Sequence, residues 1–474
     1  MTDLTIAVKE ILDRRNDYET AEDYYYGRAE EVFTSKAAYK ALKDTAGEFR
    51  LNFAAVPVDT VNNRLEITSV SAVSENAGQY LDRVWATDEL QLDIAQVHKN
   101  ALIYGDAYLM VLPDGDSLQV HYNSPKTTIV IYDEENPKLM RYAAKVWEIT
   151  VDTNGKRETR TRVNLYYPDR WEKYISLNKK LTTNPQPSEF KPYVDEYTDA
   201  NGVMANPLKQ KVIPVFHFRT EMPEGTPEHI RAYGPQDAIN KFVVTQMAAN
   251  DFHGFPQRWA LTQEGSSENA DFDDDSETVD VANQPGSLAV LKGIKAVGEF
   301  NSADPSTFIE PMRVNIRAMA TVTATPLHYF EPTGNVPSGE ALRVAEAPLV
   351  KKTKMRQLSF GSTWRKVFSF ILEAQGMKED VQVHWRAVET FDTKEAWEIA
   401  YKKQQAGLPF EQRMYEMGYD KALVDQWAAT AALRAQEAAR GGSEGRTGVE
   451  TTPVQPADTA ALETGSEAGE QKAA

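Results

Sequence analysis

The sequence predicts an α+β fold in which a β-rich block lies between two helical regions. Apolar residues recur at helical spacing through much of 1–106, and the period changes to two over 107–218. Helical spacing returns from about residue 234 and continues toward the C-terminus. Such segregation of strands from helices is typical of α+β proteins. The 474 residues suffice for about three domains or for one elongated subunit of several parts.

The N-terminal region is predicted to be mainly helical. Its elements are a helix capped by Thr2 or Asp3, a second helical piece ended by Tyr24-Tyr25-Tyr26-Gly27, a helix over Val58–Leu65 followed by a short strand at Leu65–Ile67, and a helix over Asp88–Tyr104. The last has the strongest pattern, because apolar residues recur every three or four positions. Gly105 ends it.

The β-rich block begins with a hairpin. Asp114-Gly115, between two alternating segments, is a strong signal for a tight turn. The predicted strands are Tyr108–Leu112, Leu118–Tyr122, Thr128–Tyr132, Ala143–Val151, Thr159–Tyr167, Trp171–Leu177 and, after a long excursion over 178–211, Val212–Phe218. Asn154-Gly155 predicts a second tight turn.

The C-terminal half returns to helices. The predicted elements are a helix from Gly234-Pro235 to Asn250, an irregular stretch over 253–300 with a short strand at 288–291, a helix from Pro305 to about Thr325, a long helix capped by Ser338 and ending near Ala374, and a helical block over 393–440. Pro348 should kink the long helix. From 441 the chain lacks aromatic residues, and we expect a disordered acidic tail.

Charge and composition exclude several classes of protein. The chain has 52 basic and 70 acidic side chains, a net charge of −18, which argues against tight binding to nucleic acid. No cysteine is present, so disulfides, Cys-based zinc sites and thiol catalysis are excluded. The N-terminus lacks the apolar stretch of a signal peptide, and no segment approaches a membrane span. We therefore expect a soluble, cytosolic chain that does not contact a membrane.

Motifs that carry chemistry are missing. The sequence has no phosphate-binding P-loop, no GxSxG and no GxGxxG, and its seven histidines do not pair at zinc-binding spacings. The acidic loop 271–280 resembles the start of a calcium loop, but Ser276 replaces the required glycine and Ala282 the required glutamate. We predict no catalytic residue, no cofactor and no metal site.

Two features allow a functional or a purely structural interpretation. The basic run Lys351–Arg356, like Arg313 and Arg317, either contacts DNA or forms a solvated face with ion pairs to an acidic neighbouring subunit. The loop 326–337 carries three prolines and a glycine between two long helices. It is either a functional loop on a rigid scaffold or a plain surface connection.

Several segments together resemble the portal proteins of long-tailed bacteriophages. They are Tyr24–Gly27, Asn52 with Val58–Leu65, Ala101–Tyr108, Tyr233–Lys241, Gly254–Arg258, and Thr325–Phe330 through Ser338–Arg343. Their order and spacing carry the resemblance, which covers about 20–420.

The resemblance implies a ring, commonly of twelve subunits, at one capsid vertex. It implies a wing over 1–233 (helical 1–106 and β-rich 107–218), stem helices at 234–252 and 304–325 around a clip at 253–303, a tunnel loop at 326–337, a wing-crossing helix at 338–374, a crown at 375–440 and the tail 441–474. Double-stranded DNA would be packaged and ejected through the ring without sequence specificity. An acidic wall with few basic contacts would then let the duplex slide.

The resemblance also implies roles for named residues. The tunnel loop would present Tyr329, Glu331, Thr333, Gly334, Asn335 and Val336 to DNA. The clip would use Arg258, Lys292 and Lys295 to dock the terminase large subunit and later a head–tail adaptor protein. Stem contacts between subunits would involve Ile239, Phe242, Val243, Met312 and Ile316.

Further partners would be the major capsid and scaffold proteins, and the ring would help to start procapsid assembly. Assembly would take place in the host cytoplasm, with final residence in the virion. The alternatives are another structural virion protein, such as a minor capsid or baseplate component, and a soluble hydrolase with an acidic surface. A closed ring with an axial channel would distinguish a portal from either.

Overall fold

A computed structural model describes most of the chain. The described residues are 2–28, 51–86, 88–114, 117–153, 156–178, 181–208, 211–254, 258–262, 294–299, 306–331, 339–389, 393–417, 419 and 421–441. Two compact units are distinguished, Met1–Lys421 and Ala422–Ala474. The first holds almost all described elements, and the second is described only through the helix that reaches Gly441.

Helices dominate the N-terminal region. The elements are α1 (Asp3–Tyr26), α2 (Val56–Asn62), β1 (Ile67–Ala72), α3 (Glu75–Trp85) and α4 (Asp88–Tyr104). The predicted bounds of α4 are confirmed. Two predictions are wrong: α1 is one continuous helix, ended by Gly27 at φ 69°, and the strand begins at Ile67. The strand lies further along the chain than predicted because it pairs with a segment that is distant in the sequence.

The β-rich block forms two antiparallel sheets. Its strands are β2 (Asp106–Asp114), β3 (Ser117–Asn123), β4 (Thr128–Tyr132), β5 (Met140–Thr153), β6 (Lys156–Tyr166), β7 (Arg170–Ser176), β8 (Phe190–Pro192), β9 (Val203–Ala205) and β10 (Val215–Arg219). One sheet has the order β10-β2-β3, and the other has β4-β5-β6-β7-β8 with β9 on β7. Both predicted hairpins are confirmed by pairing, Asp114 with Ser117 and Thr153 with Lys156.

The later elements are mainly helical. They are α5 (Tyr233–Gly254), β11 (Arg258–Thr262), β12 (Ile294–Glu299), α6 (Ser306–Val322), α7 (Gly339–Ala374), β13 (Val381–Trp385), α8 (Thr393–Gln405), α9 (Phe410–Glu416) and α10 (Lys421–Gly441). β11 pairs antiparallel with β12. The predicted strand at 288–291, the acidic loop 271–280 and the tail beyond Gly441 lie outside the described residues.

The long helix α7 runs without interruption through Pro348. Its C-terminal half is apolar on one face, and Phe360, Trp364 and Phe368 are fully buried in a core shared with α4, β2 and β10. Burying a large aromatic side chain contributes on the order of 2–3 kcal/mol. Packing of this face therefore stabilises α7 as one continuous helix despite its internal proline.

β13 belongs with the N-terminal helical region. It pairs antiparallel with β1, with Val70 opposite Val383, and its Val381 is buried in the same core as Leu81 of α3. The segment that the resemblance assigns to the crown from 375 onward therefore contains a strand that pairs with β1. Sequence periodicity could not reveal this, because the two paired strands lie about 310 residues apart.

Candidate functional site

The region around the predicted loop 326–337 brings together α6, α7 and the end of α2. α6 ends at Val322, a short 3-10 turn spans Leu327–Tyr329, and α7 begins at Gly339. Phe330, directly after the turn, is buried in a cluster with Ile316 and Met319 of α6. The first part of the loop is therefore fixed to the folded body.

A hydrogen-bonded charge network fixes the loop's first turn. Arg64, just after α2, donates from Nη2 to the Tyr329 hydroxyl at 2.8 Å and to Oε1 of Glu346 at 3.0 Å. The Tyr329 hydroxyl donates to the same Glu346 oxygen at 3.0 Å. Burial is the main cause that raises the pKa of Tyr329, and the charge of Glu346 raises it further. The phenol therefore stays neutral and keeps donating its proton.

A second, deeper network holds α7. The carboxylate of Glu228, whose side chain is 4% exposed, accepts Nε of Arg356 at 2.8 Å and pairs with Nζ of Lys352 at 3.2 Å. Lys352 also donates to the carbonyl oxygen of Thr323 at 2.6 Å, just after α6. One buried triad thus joins α7 to the end of α6 and to the segment before α5.

This triad corrects an expectation about the basic run. The sequence predicts a solvated face, a DNA contact or ion pairs to a neighbouring subunit, yet Lys352 and Arg356 are paired inside the chain. Lys354 likewise pairs with Glu389 of its own chain. The reason is geometric: α7 turns this face inward against the segment before α5.

The helices α5 and α6 pack against each other along a narrow apolar seam. Ile239 and Ile316 are 0% and 3% exposed and lie in one cluster with the half-buried Val243 and Met312. Ile239 and Ile316 are therefore used within the chain, and they leave almost no surface for another subunit. Phe242 is half-buried and lies outside this cluster.

The start of α5 is joined to the N-terminal helices by polar contacts. The Gln236 side chain accepts the backbone N–H groups of Phe53 and Ala54 at 2.8 and 2.9 Å. The Tyr24 hydroxyl donates to Asp237 at 2.8 Å, and its ring stacks on Tyr233 with centroids 3.9 Å apart. Three segments that carried the resemblance thus meet at one joint.

The structure describes only some of the remaining predicted residues. Tyr329 is 36% exposed and Glu331 half-buried, whereas Thr333, Gly334, Asn335, Val336 and Lys292 lie outside the described residues. Arg258 and Lys295 lie in β11 and β12, which are described by their backbone pairing.

Sequence reasoning missed Arg64, Glu228 and Glu346. Arg64 and Glu228 are charged residues in polar stretches, where a solvated face is the usual interpretation. One signal could have found Glu346: it lies on the first part of α7 among apolar positions, two residues before Pro348. Within the described ranges, three metal-ligating side chains converge nowhere. None of the described helices is long and apolar enough to cross a membrane.

Comparison with known proteins identifies the family. Residues 8–414 match the family model described as phage portal protein, SPP1 Gp6-like. Because the match spans most of the chain, this chain belongs to that family of portal proteins. The family is structural rather than enzymatic. The predicted resemblance and the predicted portal function are confirmed.

Curated relatives agree with the family match. The chain is 21% identical to the portal protein of Mycobacterium phage D29 over 371 residues, 74% of this chain and 72% of that protein. It is 24% identical to the portal protein of Mycobacterium phage L5 over 193 residues, 39% of this chain and 40% of that protein. Both are named portal proteins.

Solved structures give a weaker likeness. A chain from the neck of a native gene transfer agent particle, computed with C12 symmetry, has 12% identity and a TM-score of 0.41, with 82% of this chain and 95% of that chain covered. A chain from the virion of a native gene transfer agent particle has 10% identity and a TM-score of 0.39, with 81% and 94% covered. The family assignment rests on the sequence match.

Proposed function

We propose that this portal protein forms a closed ring, of about twelve copies, at one vertex of a phage capsid. Double-stranded DNA enters through the ring during packaging and leaves through it during ejection, and the chain itself catalyses no reaction. The family match over 8–414 supports this proposal most directly. The net charge of −18 agrees with it, because a wall that grips phosphate would slow a sliding duplex.

We assign the parts of the ring subunit to the described elements as follows. The wing comprises 1–233 together with β13. The helices α5 and α6 form the stem around a clip at 253–303, and α7 crosses the wing. The crown then begins near 393, because β13 is paired with β1. The tail is 441–474.

Partner binding is assigned to the clip. Arg258, Lys292 and Lys295 are proposed to dock the terminase large subunit during packaging and a head–tail adaptor afterwards. Scaffold and major capsid proteins surround the ring, which assembles in the host cytoplasm and remains in the virion. The clip 253–303 carries nine acidic and three basic side chains, so these three cations would bind acidic groups of a partner from within an acidic surface.

The tunnel loop is proposed to contact the DNA. Its first turn is fixed by Arg64 and Glu346, and its second end leads into the helix α7 that Glu228 holds. A short loop on a fixed scaffold can follow the duplex while the body stays in place. Because Tyr329 and Phe330 hold the turn itself, the DNA-contacting part is expected beyond Glu331.

Deleting 332–337 and closing the gap with two glycines should leave rings intact and impair DNA filling or retention. The deletion spares Tyr329 and Phe330, so the buried contacts of α6 and α7 remain. Packaged DNA per particle is measured by DNase protection, and rings are counted by electron microscopy. As control, Thr333 and Asn335 are replaced by serine at unchanged loop length. Normal filling and retention by the deleted ring would contradict the role of this loop.

Replacing Phe242 with aspartate should reduce ring yield at least about tenfold. Its half-buried side chain belongs to no described cluster within the chain, so we assign it to the contact between stems, where a new carboxylate would be desolvated. Electron microscopy of the purified variant measures ring yield and rotational symmetry. Lys241→Asp, about 100° around the helix, is the matched control.

Normal ring yield from Phe242→Asp would remove this residue from the interface. The wild-type chain in the same experiment tests the proposed function itself. A ring with a central hole wide enough for a duplex supports the portal ring, whereas a virion protein without such a channel would instead be a minor capsid or baseplate component.

A further inference from the structure

A cavity of about 770 Å³ lies beside the loop network, between α2, the segment 386–389, α8 and α9. Its wall is apolar at Val56, Val388 and Ile399 and carries charged groups between these side chains. The charged residues of the wall are Asp59, Arg64, Arg386, Glu389, Lys403, Arg413 and Glu416. Most of these charged groups have a described partner, whereas Arg413 has no carboxylate and Nη1 of Arg64 has no acceptor within the described ranges.

Arg413 is a buried cation without an acidic partner in the described part of the chain. The residue is 9% exposed, its Nη1 donates to Oε1 of Gln404 at 3.0 Å, and its Nε contacts the carbonyl oxygen of Pro409 at 3.4 Å. Among the residues that the structure describes, no carboxylate lies within 4.0 Å of its guanidinium. A buried charge is costly unless it is paired.

Arg64 adds a second unsatisfied group on the same wall. Its Nη2 serves Tyr329 and Glu346, but its Nη1 is buried and has no hydrogen-bond partner within the described ranges. Buried guanidinium N–H groups without acceptors are rare in native proteins, and each calls for an acceptor.

The other charges of the cavity are already satisfied. Lys403 pairs with Glu416, Glu389 with Lys354, and Arg386 with Glu66 at 2.6 Å. Asp59 accepts the Tyr25 hydroxyl at 2.8 Å. The unsatisfied donors of the cavity are therefore guanidinium N–H groups, which need a hydrogen-bond acceptor. A carboxylate matches the forked geometry of a guanidinium best.

The helix α8, which lines one side of the cavity, has an outer surface with features of a protein contact. α8, which supplies Ile399 and Lys403 to the wall, exposes Trp397 and Tyr401 on its outer side, 47% and 60% accessible. Exposed Trp and Tyr side chains are among the residue types that dominate protein interfaces.

We infer that this cavity receives an acidic side chain from a second copy of the chain, which completes the pairing of Arg413 and Arg64. This inference rests on the proposed ring, in which each copy presents a different surface to its neighbour. The chain has 70 acidic side chains against 52 basic ones, so contact between copies needs basic sites that receive carboxylates. A buried cation that has no carboxylate partner among the described residues fits such a site.

Carbodiimide coupling tests the inference directly. Arg413→Lys places a primary amine in the cavity, and coupling joins it to any carboxylate in contact with loss of water. Rings are assembled from equal amounts of ¹⁴N-labelled and ¹⁵N-labelled chains, and cross-linked peptides are identified by mass spectrometry. A cross-link of mixed label from the introduced amine is expected. If this variant folds poorly, ring assembly of Arg413→Gln is the second readout.

The assembly equilibrium supplies an independent readout. Arg413→Gln should raise the concentration needed for ring formation at least about tenfold, since a desolvated interface pair is lost. The melting temperature of the isolated chain should not fall, because no described carboxylate pairs with Arg413 there. The matched control is Arg83→Gln, an exposed arginine of α3 without a described ion pair, which should assemble as the wild type does.

The possible results separate the two proposals. Rings of mixed label whose cavity cross-links join only residues of one chain would overturn the inference and leave the proposed function standing. Protection of the introduced amine by inorganic phosphate without any mixed cross-link would make the cavity a small-anion site and would also overturn it. A chain that remains monomeric at high concentration would contradict the proposed ring and, with it, the inference.

Discussion

Replacing Glu228 with glutamine is expected to lower the free energy of unfolding by about 3–5 kcal/mol. The variant keeps the shape of the side chain but removes the only carboxylate that Lys352 and Arg356 share among the described residues. Two cations would then remain buried next to each other without a counter-charge. The loss should be measurable as a shift of the urea unfolding midpoint.

The geometry explains why this effect should be large. Burial alone would raise the pKa of Glu228, yet the two adjacent cations hold that pKa below its ordinary value. Burial lowers the pKa of Lys352 in spite of its carboxylate partner. Both partners thus depend on each other to stay charged, and the stability contributed by Glu228 is lost only when the pH falls through its lowered pKa.

Two comparisons make this prediction specific. Glu221→Gln removes an exposed acid from the same connecting segment and should change stability by less than about 0.5 kcal/mol. Replacing Glu228, Lys352 and Arg356 together with Leu, Met and Met should recover most of the loss, since no charge remains buried. A cost below about 1 kcal/mol for Glu228→Gln would show that the triad is hydrated and contributes little.

Local patterns are sufficient to predict many of the regular elements. The helix Asp88–Tyr104 is predicted with correct bounds because its apolar stripe and Gly105 agree. The hairpins at Asp114-Gly115 and Asn154-Gly155 are predicted because turn chemistry and alternation coincide. In each case neighbouring residues determine the structure, so a single sequence contains the necessary information.

Non-local pairing is not predictable in this way. The strand Ile67–Ala72 exists because β13 pairs with it from about 310 residues away. Likewise, nothing near Lys352 in the sequence indicates that Glu228 will lie beside it. A charged residue can be assigned to a buried pair only when the fold has placed its partner.

Three segments behind the resemblance, around Tyr24, Asn52 and Gln236, have a common physical role that the sequence could not show. Asn52 donates to the carbonyl oxygen of Tyr25 at 2.6 Å, and Gln236 binds the backbone at Phe53 and Ala54. These contacts join α5 to α1 through side-chain amides, which few other residues can replace. The resemblance therefore follows a structural joint, whereas the loop residues proposed to contact DNA stay a prediction.

Acidification from pH 7 to pH 5 is expected to lower the free energy of unfolding by about 4 kcal/mol, of which His98 should account for about 2 kcal/mol. Burial lowers the pKa of His98 to about 4, and burial also lowers the pKa of His229 to about 4. Both histidines are neutral in the folded protein at pH 5 and protonated in the unfolded chain.

The sign follows from proton uptake. Between the ordinary histidine pKa and the lowered value, the unfolded state binds more protons than the folded state, so stability falls as the pH falls. The hydrogen bonds of His98 explain why it stays neutral when folded: Nδ1 donates to the carbonyl oxygen of Leu65 at 3.2 Å, and Nε2 accepts Nε1 of Trp364 at 2.8 Å. A second proton on His98 would turn Nε2 into a donor, and its N–H would then face the Nε1–H of Trp364.

His98→Gln tests this assignment through the pH dependence rather than through stability alone. The variant should be less stable at pH 7, because α4 and α7 lose a filled contact, but its loss between pH 7 and pH 5 should shrink by about 2 kcal/mol. Urea unfolding at both pH values provides the measurement. The exposed His121 supplies the control, since His121→Gln should keep the wild-type difference. If His98→Gln also keeps that difference, another group titrates in this range, and the neutral His98 bridge between Leu65 and Trp364 is not its cause.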